Sequence, residues 1–276
     1  MSTTCKEIIG HIEYFAPPAL ALEGDPIGLH LGSEDMEVRR LFLALELTES
    51  VVEEALGFQA DMIFVHHTPF FKPLKQLRED MPHDRLILQL IRSHVALYTA
   101  HTNLDCVDGG VNNVLAELLG IEETTVLAQG KGQGDAREGS REENQGLGRI
   151  GMLRQPTTLG AYAAFVEKKL GGRCVRFCGK PEKMISRVAC LGGAGGFLLK
   201  EAKDRGADAF VSADLRHHEA MQALELDLGL IDGGHFATEN PVIPVLAAYL
   251  REKMPQLTID ISRIWADPFT YAGHQE

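Results

Sequence analysis

Short apolar runs alternate with amphipathic stretches along most of this chain. "LFLALEL" (41–47), "DMIFVHH" (61–67) and "ALYTAH" (96–101) are continuous enough to be buried strands. Between and before them, "CKEIIGHIEYFA" (5–16), "ESVVEEALGF" (49–58) and "HDRLILQLIRSH" (83–94) repeat apolar residues at helical spacing. "GGVNNVLAELLG" (109–120) predicts a further helix, stopped by Gly120. Strands alternating with helices in this way predict βαβ units and a mostly parallel sheet.

Residues 121–148 break the pattern. "AQGKGQGDAREGSREENQGLG" (128–148) is rich in Gly, Gln and charge and has almost no large apolar residue, so a flexible linker is expected there. The alternation then resumes. "RIGML", "RCVRFC", "SRVACLG", "DAFVSA", "LGLIDGGH" and "LTIDIS" read as strands, and "TLGAYAAFVEKKLG", "GFLLKEAKDRG", "HHEAMQALELDLG" and "ENPVIPVLAAYLREK" as helices. The fold class expected is α/β, with two α/β lobes of mixed, mostly parallel sheets and the C-terminal segment returning to the first lobe. The boundaries expected are 1–128 plus 230–276 for the first lobe, 129–147 for the linker and 148–229 for the second lobe.

Size and charge narrow this picture. The 276 residues suffice for two separate cores. A net charge of −12 argues against a general nucleic-acid binder, though not against a local basic patch. No apolar run reaches the roughly 18–20 residues of a membrane span. The N-terminal stretch lacks the basic and apolar regions of a signal peptide, so a cytoplasmic protein is expected. Five scattered cysteines fit reduced thiols rather than a disulfide framework. Cys174 and Cys178 would lie about 13 Å apart along a strand, too far to bridge without a bend.

Candidate chemistry gathers at four strand ends: "FVHHTPFF" (His66, His67), "YTAHTNLDCVDGG" (His101, Asp105, Asp108), "VSADLRHHEA" (Asp214, His217, His218) and "LIDGGHFATEN" (Asp232, His235, Glu239). In open α/β sheets, ligands bind outside the carboxyl ends of the strands. Adjacent histidines in a regular strand point to opposite faces, but at a strand terminus the pleat breaks and both can turn toward one cleft. Imidazole plus carboxylate, with no cysteine in the set, suits zinc, iron, manganese or nickel. His66, His67, Asp105, His235 and Glu239 make five ligands, one more than a closed tetrahedral site takes. A bridging carboxylate would divide them between two ions. Each residue also has a plainer reading: Asp105 as a helix cap or turn residue, Glu239 as a complement to a helix dipole, His217 and His218 as surface. "LGGAGG" (191–196) has the backbone character of an anion cradle without the residues of a phosphate loop, and close helix–strand packing explains it as well.

"HHTPFF", "YTAHTNLDCVDGGVNNVLAELLG", "GLGRIGML", "GGAGGFLLKEAKDRGADAFVSADLRHHEA" and "IDGGHFATE", in this order and spacing, resemble the Nif-three-like dinuclear metal-centre family, whose members are often named GTP cyclohydrolase type-two homologues. The resemblance runs from about residue 25 to the last strand. It implies two divalent metal ions per subunit and a toroidal homohexamer. By position, His66 and His67 take one ion each, Asp105 joins His67, His235 joins His66, and Glu239 bridges. His101 lines the same centre, and His218 matches a histidine placed for proton transfer. Two departures stand out. The family's "HHPLF" is here "HHTPFF", and its "WDNxGL" is here "GDPIGL", without the tryptophan and asparagine. The function expected is a dinuclear-metal hydrolase of a nucleotide-like or cyclic amide or phosphoester substrate, with His101 and His218 as acid–base groups. The alternative is a metal-binding regulatory or metal-chaperone module without turnover.

Overall fold

A computed structural model of the chain describes residues 3–129, 144–171, 175–264 and 267–270. In chain order the elements are β1 (Thr3–Thr4), α1 (Cys5–Phe15), β2 (Gly28–Leu31), β3 (Glu37–Val38), β4 (Arg40–Ala44), α2 (Glu49–Gly57), β5 (Met62–Val65), α3 (Pro82–Arg92), β6 (Ala96–Thr99) and α4 (Thr102–Cys106). They continue with α5 (Val111–Leu118), β7 (Ile121–Ala128), β8 (Leu147–Thr158), α6 (Leu159–Lys169), β9 (Arg176–Cys178), β10 (Met184–Ala194), α7 (Leu199–Asp204) and β11 (Ala209–Ala213). Last come α8 (His217–Glu225), β12 (Gly229–Asp232), α9 (His235–Glu239), α10 (Val242–Lys253) and β13 (Thr258–Ile261). The chain divides into two units, residues 1–104 with 243–266 and residues 105–242 with 267–276.

The first unit is built on a five-stranded sheet in the order β13-β4-β5-β6-β2, parallel except where β2 pairs with β6. Because helices cover both faces, β4, β5 and β6 are buried almost throughout, which is why they read as unbroken apolar runs. Phe42, Ile63, Val65 and Leu97 pack with Val51, Val52, Ala55 and Leu90 of α2 and α3. On the opposite face Tyr98 donates a hydrogen bond to Glu13 of α1 at 3.2 Å. The helices start where their sequences provide caps. Thr4 and Glu7 form a capping box for α1, and the Thr48 hydroxyl accepts from Val51 N at 3.2 Å.

The second unit carries a six-stranded sheet in the order β7-β8-β10-β11-β12-β9. Only β10-β11-β12 pair in parallel; β7, β8 and β9 run antiparallel to their neighbours. The α/β class and the return of the C-terminal segment through β13 are as expected, but this sheet is less parallel than the sequence suggests. The lobe boundaries expected at 128 and 230 also move. β7 hydrogen-bonds to β8, and β12 to β11 and β9, so both belong to the second sheet. The second unit therefore takes residues 105–128, 230–242 and 267–276 from the expected first lobe. Most of the expected linker, 130–143, lies outside the described residues, as do Cys174 and His274.

Free thiols are found at Cys5, Cys106, Cys178 and Cys190. Burial pushes Cys5 up to about 11 and Cys190 up to about 12, so both are protonated, unreactive packing residues at neutral pH. Among the described residues no helix is long and apolar enough to cross a membrane.

Candidate metal centre

In the first unit the histidine doublet begins where β5 ends. His66 N and His67 N still donate to Ala44 O and Leu45 O, at 3.3 and 3.0 Å, so the backbone keeps its place beside β4. The side chains do not keep strand alternation: the two rings lie 4.8 Å apart, tilted by 42°. His101, two residues past β6, brings its ring within 5.3 Å of His66 and 5.6 Å of His67. These three imidazoles each offer a nitrogen within 4.8 Å of the others.

What aims the rings is a set of partners on other segments. His66 is fully buried, and its Nδ1–H donates to Ala100 O at 2.9 Å. His67 Nδ1–H donates to Glu46 Oε1 at 2.5 Å, and His101 Nδ1–H to Asp25 Oδ1 at 2.8 Å. A carbonyl or carboxylate can only accept, so each Nδ1 carries a proton, and in the neutral imidazole Nε2 is then the nitrogen with the lone pair. Metal-binding histidines are fixed in this way, by an outer carboxylate or carbonyl on the other nitrogen. Asp25 also accepts from Thr102 N at 3.0 Å and from the Thr102 hydroxyl. Burial alone would push its carboxyl up, but the bonds from His101 and Thr102 hold it below the ordinary carboxylate range. Asp25 is the acid of the departing "GDPIGL" motif, so that motif keeps a task here despite its losses.

The second unit holds the other donors. His235 opens α9 and Glu239 closes it, four residues on and therefore on the same side of the helix. His235 Nδ1–H donates to Asp214 Oδ2 at 2.8 Å, and its Nε2 stands 3.1 Å from Glu239 Oε2. A lone pair and a carboxylate oxygen at that distance repel unless a cation or proton lies between them. Asp214 follows β11 in the left-handed region, at φ 54°, a conformation Asp tolerates better than most residues. Glu239 ends α9 rather than starting the next helix, which corrects the reading of it as an N-terminal dipole partner. The Asp105 carbonyl in α4 accepts from Asn112 Nδ2 at 2.9 Å, while Asn112 Oδ1 accepts from Gly192 N at 2.9 Å.

The "LGGAGG" segment has its explanation here. Gly193 sits at φ +66°, and a Cβ on it would fall 2.2 Å from Glu239 Oε1 and 3.1 Å from His235 Nε2. Its N–H donates to Thr238 Oγ1 at 3.1 Å, and its carbonyl accepts from the Ser212 hydroxyl at 2.9 Å. The glycine clears space for two donor side chains, and the segment is not needed as an anion cradle. The nitrogen and oxygen donors, the anchored imidazoles and this clearance fit a divalent metal.

Other sequence candidates have different tasks. Asp232 pairs with Arg176 at 2.8 Å and accepts from Gly234 N at 3.2 Å, which shapes the turn into α9. His218 is exposed in the first turn of α8, 5.8 Å from the ring of His217, and is not among the metal-donor groups of the described residues. Sequence reasoning missed Glu46 and Asp25 as partners. A polar residue ending the apolar run "LFLALEL", and an Asp-Pro step before β2, are the only local signals of them.

The sequence profile of Duf34/NIF3 (NGG1p interacting factor 3) matches residues 3–268. The chain belongs to the Duf34/NIF3 family. A relative in Streptococcus pneumoniae, named "GTP cyclohydrolase 1 type 2 homolog", is 36% identical over 271 residues, which cover 96% of this chain and 98% of that one. A Bacillus subtilis protein of the same name is 30% identical, with 98% and 99% covered. That alignment runs over 369 positions against 276 residues here, so the Bacillus protein is the longer chain. Among solved structures, a Bacillus cereus protein described as related to NIF3 superposes with a TM-score of 0.88 at 29% identity, covering 98% of this chain and all of that one.

Proposed function

We propose that this protein is a dinuclear-metal hydrolase. In this reading His66, His67, Asp105, His235 and Glu239 would hold two divalent ions, shared out as the family resemblance implies, with His66 and His235 serving one, His67 and Asp105 the other, and Glu239 common to both. The ligand division follows from the family resemblance. The observation that supports the reading is the anchoring of the imidazoles: the Nδ1 of His66, His67 and His235 is in each case held by a carbonyl or carboxylate, which leaves Nε2 as the nitrogen a metal would take. Zinc, iron, manganese and nickel all match the donor set. A pair of such ions supplies water acidic enough to act as a nucleophile near neutral pH.

The chain's own contribution is binding and proton handling. His101, oriented by Asp25, is the group assigned to move a proton at Nε2. His218 is assigned a second acid–base role through its match to the family segment. The substrate class, a nucleotide-like or cyclic amide or phosphoester compound, is supported by the name the relatives carry. A ring-shaped hexamer in the cytoplasm completes the proposal.

Turnover decides between this and a metal-binding regulatory module. Metal-reconstituted protein should hydrolyse at least one class in a panel of nucleotides, phosphodiesters and cyclic amides. Glu239→Ala should lower kcat/KM for that class by at least about 100-fold. A metal-loaded wild type that turns over nothing in the panel contradicts the hydrolase reading and favours the regulatory one.

A further inference from the structure

The first unit contains a cavity of about 470 Å³, within the range that accommodates a small organic ligand. Its walls come from the loop after His67 (Phe70, Phe71, Lys72, Leu74), from His30 on β2 and from Ile91 near the end of α3. The loop is tied down at both ends. His83 of α3 donates to Pro69 O at 2.9 Å, and Arg78 N donates to Asp84 Oδ2 at 3.0 Å.

Three features point to an occupant. The first is position. Gly24 and Pro26 line the cavity and flank Asp25, which holds His101; the Phe71 ring stands 5.7 Å from His101 at 79°. His101 does not line the cavity itself, but stands behind Phe71, Gly24 and Pro26, which do. The second is the cost of the surface. Phe71 is 62% exposed, and Leu74, Leu77 and Ile91 around it are each more than 40% exposed. So much apolar surface round one concavity is unfavourable in water unless something covers it. The third is charge. In a chain of net charge −12, "KPLKQLR" (72–78) carries Lys72, Lys75 and Arg78, and of these Lys72 lines the cavity. His30, half-buried against Phe70 at 5.1 Å, adds a polar ring to an otherwise apolar wall.

We propose that this cavity binds a planar aromatic compound bearing an anionic group, with its ring between Phe70 and Phe71, its anion at Lys72 and one edge toward His101. Two aromatic rings in the lining suit a flat ring, and a lysine ammonium beside them suits one anionic substituent. The assignment deepens the hydrolase reading, on which its role as a substrate site rests, while binding itself needs no metal. The concave shape favours a small molecule over a second copy of the chain.

Anilinonaphthalene sulfonate is a suitable probe, an aromatic anion whose fluorescence rises on binding; N-phenylnaphthylamine is its uncharged counterpart. Titrated into the full chain, the sulfonate should saturate at about one equivalent. Phe71→Ala should weaken both dyes about tenfold. Lys72→Glu should weaken the sulfonate about tenfold and leave the uncharged dye unaffected. Phe197→Ala, at an exposed aromatic of the second unit, should change neither. Partial unfolding raises fluorescence of such dyes, so a misfolded variant would err in the opposite direction.

Sulfonate binding that is indifferent to Phe71→Ala and Lys72→Glu would overturn the proposal. So would a wild type that takes up no dye while Phe71→Ala lowers its mass in light scattering, since a second copy would then cover the patch. The two readings fail separately. Protein that binds the dye as described but holds no metal sinks the hydrolase, whereas metal-loaded protein with dye binding blind to both variants sinks the aromatic-anion site.

Discussion

On the dinuclear-metal proposal, Gly193→Ala is expected to weaken metal binding and to cost about 2–4 kcal/mol of stability. The new methyl group would sit 2.2 Å from Glu239 Oε1, nearer than any real contact, on a backbone at φ +66°. The left-handed conformation alone costs an alanine about 1–2 kcal/mol. The remainder comes from pushing Glu239, a nearly buried carboxylate, out of its place at the end of α9. Metal affinity should fall by about 10–100-fold, as it does when a supporting contact to a ligand is lost. Gly206→Ala is the control. Gly206 has φ +79°, and the nearest atom to its added Cβ is Arg187 Cδ at 4.0 Å, so it bears the conformational cost without the collision. Urea denaturation and metal analysis of the two variants separate the effects: equal stability losses with full metal in both would show that Gly193 is only a turn residue.

Arg149→Met is expected to destabilise the chain by about 3–5 kcal/mol without touching a metal donor. Arg149 is a fully buried cation whose guanidinium donates to four backbone carbonyls: Gly146, Gly148 and Asn144 at 2.8–2.9 Å and Val107 at 3.3 Å. Burial pulls its pKa down, and the fields of Cys190, Asp108 and Cys106 oppose that. It fastens the start of β8 to the turn after α4. Methionine fills part of the volume and leaves those carbonyls without their donor. Arg149→Lys should lie between the two, because a lysine has three donors at one point rather than a planar fork. A urea midpoint for Arg149→Met within error of wild type would contradict this account of the buried cation.

The readable parts of this fold were those in which one physical cause dominated locally. β4, β5 and β6 are parallel strands covered on both faces, so their apolar runs were visible residue by residue. β7, "IEETTVLA", falls within the break in the pattern after Gly120. As the edge of an antiparallel sheet it leaves Glu122, Glu123 and Thr125 in solvent, and a half-polar strand resembles a loop in sequence. Missing it also misplaced the boundary between the units. Among the candidate ligands, His66, His67, His101 and His235 stand out because strand ends seldom need histidine for packing. Of their partners, Asp214 is visible at a strand end, but Glu46 and Asp25 are not. Glu46, Asp25 and Asp214 lie 21, 76 and 21 residues from the histidines they hold, and only the tertiary fold pairs them. Gly193 was legible as a glycine but not as clearance for Glu239, since its purpose lies in a side chain 46 residues further along the sequence.

The central claim, that these donors exist to hold two metal ions, is tested most directly by counting metal. Protein purified without added metal, and its His235→Ala variant, should be analysed by mass spectrometry of the elements against protein concentration. The account predicts about two equivalents of divalent metal per chain in the wild type and about one or less in the variant. Less than one equivalent in the wild type, with no further loss in His235→Ala, would contradict it.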